Sequence, residues 1–168
     1  MRIIKDARIV DDPWRHLPDD EPVPGAGDII VPLARWQTQR QALLARDGRL
    51  GIRLEADQPP ELIADDLEHF TVVALTFPVF RDGRAFSYAR RLRQRLNYHG
   101  EIRAVGDVLR DQLLFMQRCG IDAMEVRPDR DIEDALNAFS EFSVTYQPSV
   151  DEPLPLYRRH QRPWSDID

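Results

Sequence analysis

From Leu50 to Gln147 two kinds of apolar pattern take turns, and this alternation constrains the fold more than any other feature of the chain. Leu50 to Ala56 alternates as a strand does. Asp57-Gln58-Pro59-Pro60 then opens a helix, since proline is tolerated in a first turn, and Ile63, Leu67 and Phe70 give it a stripe. Thr71 to Phe77 is a continuous apolar run of the buried-strand type. Arg84 to Leu96 places Ala85, Ala89, Leu92 and Leu96 on one helical face. Glu101 to Val105 reads as a strand and Val108 to Arg118 as a helix with Asp107 as its N-cap and Gly120 beyond its end. Asp122 to Val126 is a strand, Asp129 or Asp131 caps a helix running to about Phe142, and Val144 to Gln147 is the last strand. One helix between each pair of strands predicts an α/β fold with a mainly parallel sheet and right-handed crossovers.

Two architectures satisfy that pattern, an open sheet or a partial barrel. A complete eight-stranded barrel needs roughly 200 residues or more, and the chain has 168. A partial barrel would expose its inner face, so it would have to dimerise or be covered by the arm or the tail. The N-terminal block, residues 1–49, holds a short hairpin or edge strand at Ile3-Ile4 and Ala7 to Val10. An irregular arm over 11–28 follows, tethered by Trp14, with a short strand at Ile29 to Val31 and a helix from Leu33 to Arg46 that places Leu33, Trp36, Leu43 and Leu44 near one side. Residues 50–147 form the α/β core. The tail, 148–168, contains four prolines and the basic cluster Tyr157-Arg158-Arg159-His160-Gln161-Arg162, and reads as a loose terminus or a docking tail.

Composition excludes several classes. Hydrophobic residues at 42% and charged residues at 31% are ordinary for a globular chain. The formal charge of -6 runs against a nucleic-acid binder. Lys5 is the only lysine, so 22 of the 23 basic residues are arginine; coding bias explains this, and bidentate anion binding would also use it. Cys119 is the only cysteine, so one chain cannot supply the thiolates of a cluster or a zinc knuckle. The four histidines show no paired ligand spacing, and neither a Walker loop nor a complete dinucleotide fingerprint occurs. No metal and no cofactor is indicated. The apolar runs are too short to cross a bilayer and no leader is visible, which predicts a cytoplasmic protein.

Site residues come from geometry. Ligands of a parallel α/β sheet gather at the carboxyl ends of its strands. That end takes Asp82, Arg84 and Ser87 after one strand, Asp107 and Arg110 after the next, and Arg127 after the third. This arginine- and aspartate-rich rim, with helix N-termini beside it, is the expected place for a small anion. Asp107 is either a cap or the carboxylate that positions Arg110 or Arg84.

The runs Phe-Arg-Asp-Gly-Arg-Ala-Phe-Ser-Tyr-Ala-Arg-Arg-Leu-Arg (80–93), Gly-Glu-Ile-Arg-Ala-Val-Gly-Asp-Val-Leu-Arg-Asp-Gln-Leu (100–113) and Arg-Cys-Gly-Ile-Asp-Ala (118–123) resemble bacterial domain-of-unknown-function family 934. Its members are described as oxidoreductases of sulfite reduction, and their genes commonly lie beside that of the sulfite reductase haemoprotein. The resemblance implies a bacterial setting in assimilatory sulfate reduction and brings no catalytic residues with it. The expected function is an accessory protein that binds or assists the sulfite reductase haemoprotein. A small enzyme acting on an anionic substrate at the rim is the alternative, and a homodimer without ligand a third.

Overall fold

The computed structural model describes residues 1–79 and 81–140. The expected strand at Val144 to Gln147 and the tail lie outside the described residues. The chain opens with β1 (Arg2–Lys5) and β2 (Arg8–Asp11), an antiparallel hairpin. Its turn residues Asp6 and Ala7 both have positive φ, 51° and 59°, the sense of turn that matches the twist of the flanking strands. Then follow β3 (Arg15–His16), β4 (Ile29–Pro32), α1 (Leu33–Ala45), β5 (Leu50–Leu54) and a 3₁₀ segment (Pro60–His69). β6 (Val72–Phe77), α2 (Arg84–Gln94), β7 (Glu101–Gly106), α3 (Leu113–Arg118), β8 (Ala123–Met124) and α4 (Ile132–Leu136) complete the described chain.

All eight strands form one sheet in the order β2-β1-β8-β7-β6-β5-β4-β3. From β3 to β8 each strand pairs parallel with the next in sequence, while β1 pairs antiparallel with β8. β2 and β3, consecutive in the chain, are therefore the two outermost strands. A flat sheet would set them about 34 Å apart, at about 4.8 Å per strand. Only Asp12, Pro13 and Trp14 join them, and that link reaches at most about 15 Å. The sheet must curl, and it forms the half-barrel among the two expected architectures.

The curl gives two faces. Leu54, Val73, Leu75, Phe77, Ile102 and Ala104 face outward and join Leu33, Trp36, Leu43, Ala89, Leu92, Leu113 and Met116 of the helices in the main core. Trp14, Ile30, Val72, Ala74 and Val105 make a second cluster on the inner face. The N-terminal arm does cover that face. Arg35 of α1 holds the arm from outside, donating to the carbonyls of Pro18 (2.8 Å) and Glu21 (2.6 Å).

Four local expectations are corrected. Residues 60–69 are 3₁₀ rather than α, because Pro60 and Ile63 are the buried pair and a spacing of three aligns on a three-residue turn. The arm contains β3, which finds the free edge of β4. Leu44 lies 46% exposed, off the buried stripe of α1. Asp107 does not cap a helix: the chain from Val108 stays irregular until a 3₁₀ turn at Arg110–Gln112, whose N-cap is Leu109.

Candidate functional site

Alternation along β7 turns Ile102 and Ala104 outward, so Arg103 points into the half-barrel. A guanidinium there must be paired, since an isolated buried charge is prohibitively costly. Arg103 is 1% exposed and fully engaged. It donates to Asp12 (2.7 and 3.1 Å), to Glu101 Oε1 (2.9 Å) and to Glu125 Oε1 (3.0 Å). Lys5 Nζ lies 2.8 Å from the other Glu101 oxygen. His16 Nε2 lies 2.8 Å from Glu125 Oε1, which ties β3 to the end of β8 across the inner face. Burial by itself would loosen the Arg103 proton, but the carboxylates outweigh it and hold the group more firmly protonated than usual. Burial likewise opposes ionisation of Glu125, yet His16 and Arg103 together bring its carboxyl below the ordinary glutamate value. Two buried polar atoms, His16 Nδ1 and Thr76 Oγ1, have no hydrogen-bond partner among the described residues.

The expected rim lies at the carboxyl ends of β6, β7 and β8. Gly106 takes φ +92°, and a Cβ there would meet the Phe77 carbonyl at 2.6 Å. That bend lets the Asp107 amide donate to Phe77 O (2.6 Å), so the loops after β6 and β7 start side by side. Asp107 accepts from Arg127 Nη1 at 2.8 Å, not from Arg110 or Arg84. Arg127 also grips Asp129 (3.0 and 2.9 Å), and its proton is held more tightly for these contacts. Arg84 clasps Asp82 (2.6 Å), whose carboxyl is lowered by that hydrogen bond. Arg110 approaches Asp134 at 3.5 Å. Ser87 is exposed one turn into α2. Of the six expected residues, the structure pairs Asp82 with Arg84 and Asp107 with Arg127. Arg110 borders a separate hollow of about 410 Å3 with Arg130, Asp111, Asp129, Asp131 and Asp134.

Another hollow, about 580 Å3, is at the opposite end, beside Lys5, Arg93, Glu101, Asp122 and Phe139. Its arginine is largely engaged by the chain itself: Arg93 donates to the carbonyls of Tyr98, Gly100 and Gly120 and to Asp122 (2.5 Å). Asp122 also accepts from the Ile102 amide (3.0 Å), and burial raises its carboxyl. These bonds take four of the five N–H donors of Arg93 and staple three loops. The amino end of a β/α barrel is ordinarily the end that serves stability.

Sequence reading did not single out Asp12, His16, Arg103 or Glu125. The signal for Arg103 was present, an arginine between Ile102 and Ala104 inside a strand. Its three carboxylate partners come from positions as far as 91 residues away and left no local trace.

Fold and charge together define a parallel β/α half-barrel with an ion-paired interior and a rim of arginine–aspartate pairs. The chain belongs to the family described as bacterial protein of unknown function (DUF934), whose model matches residues 51–157. No curated protein and no solved structure matches it. Among the described residues no group of three or more His, Cys, Asp or Glu could hold a metal ion, and no helix is long and apolar enough to cross a membrane.

Proposed function

We propose that this chain is an accessory protein of assimilatory sulfite reduction, acting by binding the sulfite reductase haemoprotein through the rim at the carboxyl ends of β6 to β8. The resemblance of residues 80–123 and its gene context supply the partner. The observation that carries the reading is the state of the rim arginines. Arg84 is held by Asp82 and Arg127 by Asp107 and Asp129. A small anion would first have to displace a carboxylate from each guanidinium. A second protein meets such a mosaic differently, because charges of both signs in fixed positions set register and suppress wrong partners. Tagged chain from cells growing on sulfate is expected to bring the haemoprotein with it. Absence of the haemoprotein, together with normal growth on sulfate after deletion of the gene, would overturn the reading.

The alternative, a small enzyme for an anionic substrate, draws on the hollow beside Arg110 and Arg130. It requires Arg110→Ala to abolish function at unchanged melting temperature, and sulfite or sulfate to raise that temperature by ligand linkage. A flat titration with both anions removes it.

A further inference from the structure

The arginines are unevenly placed. Residues 83–100 hold five of them (Arg84, Arg90, Arg91, Arg93 and Arg95) and no Asp or Glu, in a chain of net charge -6. The structure separates these five by role. Arg93 is half-buried against Asp122, Arg84 is held by Asp82, and Arg91 lies 2.8 Å from Glu61 of the neighbouring 3₁₀ segment. Arg90 and Arg95 are exposed, and among the described residues no carboxylate lies within ion-pair distance of either. Arg90 instead lies over the ring of Phe115 on α3, 5.3 Å from its centroid. Phe115 is 41% exposed and stacks at a tilt on Phe86, which in turn packs on Phe77. A large aromatic ring on a solvent face, anchored to the core and capped by an arginine, is the composition found at the centre of protein interfaces.

We infer that the outer face of α2 and α3, centred on Arg90 and Phe115 with Arg95 at the carboxyl end of α2, docks an acidic protein surface that carries an apolar side chain against Phe115. The rim and this face share an element, since Arg84 is the first residue of α2. Charge complementarity fixes the sign of the partner: two uncompensated guanidiniums need carboxylates, and the rest of this chain repels them. The apolar contact fixes its class. Single-stranded nucleic acid would stack bases on an open aromatic face, whereas Arg90 lies over the Phe115 ring and leaves only part of it open, enough for an apolar side chain.

This rests on the accessory reading only for the partner's identity, and its test separates the two. Amide chemical shifts of the full chain are followed during titration with the peptide Glu-Glu-Leu-Glu-Glu-Phe-Glu-Glu and, separately, with oligouridylate. The peptide is expected to shift residues 84–95 and Phe115, to lose this effect in 0.5 M salt (about a 4 Å screening length), and to lose it in Arg90→Glu/Arg95→Glu. Because both positions are exposed, that variant is expected to keep the wild-type spectrum elsewhere. Phe115→Ser, also at an exposed position, is expected to weaken the peptide at least fivefold. No shifts on this face, or shifts with oligouridylate alone, would overturn the inference. Titration of the haemoprotein itself then distinguishes the readings. If wild type binds it and the double variant binds equally, this docking face is wrong and the accessory role stands. If the peptide shifts the face while the haemoprotein does not bind, the partner assignment fails and the face stands.

Discussion

The interior and the rim use the same two side-chain chemistries, guanidinium and carboxylate, and burial makes them behave oppositely. Inside, Arg103 and its partners Asp12, Glu101 and Glu125 are all nearly out of water. Such a cluster tolerates no missing member, because the remaining charges cannot be rehydrated. At the rim, Arg84 and Arg127 reach into solvent, where water and salt take over from any lost partner. The interior therefore holds the curl that the short link imposes, and the rim carries little of the stability of the fold.

The contrast breaks if truncating Arg103 is mild. Arg103→Ala is expected to cost about 3–5 kcal/mol in urea unfolding, since it leaves three carboxylates facing one another. Tyr98→Phe comes next. The Tyr98 hydroxyl is buried, donates to Phe70 O at 2.9 Å, and is pushed up in pKa by that burial. Leaving the carbonyl unpaired is expected to cost about 1–3 kcal/mol in the same measurement. Thr76→Val has the reverse sign. Its hydroxyl is buried without a partner, so an apolar group of the same shape is expected to stabilise the fold by about 1 kcal/mol.

Acid sharpens the comparison further. The Glu125 carboxyl is lowered in the folded chain, so its contribution is complete above about pH 4.5 and fades as pH falls through the lower folded value. Asp122, raised by burial, runs the other way: it favours the fold at low pH and loses that contribution as pH climbs through its folded value. Urea midpoints measured from pH 7 to pH 3 are expected to fall less steeply in Glu125→Gln than in wild type. At the rim, Asp82→Asn is expected to leave the midpoint at pH 7 where it was.

What the sequence made legible was the outer side of the sheet. Ile52, Val73, Leu75 and Ile102 announce themselves by period and neighbour type, and the helices between them by their stripes. The hairpin was readable too, from Ile3-Ile4 and Ala7 to Val10. The curl was not, because it follows from which strands are neighbours: the short link from Asp12 to Trp14 matters only once β2 and β3 are known to be opposite edges. Nor were the rim pairings. Asp107 stands three residues before Arg110 and twenty before Arg127, and local spacing favours the first. The turn at Gly106 sends its carboxylate to the second.

The proposed role requires the rim to recognise a protein and to contribute little to the stability of the fold. Calorimetric titration of purified sulfite reductase haemoprotein with wild-type chain and with Arg127→Glu tests it most directly. Binding by wild type, at least tenfold weaker in the variant while its urea midpoint stays unchanged, is the predicted result. No binding by wild type, or equal binding by both, would contradict it.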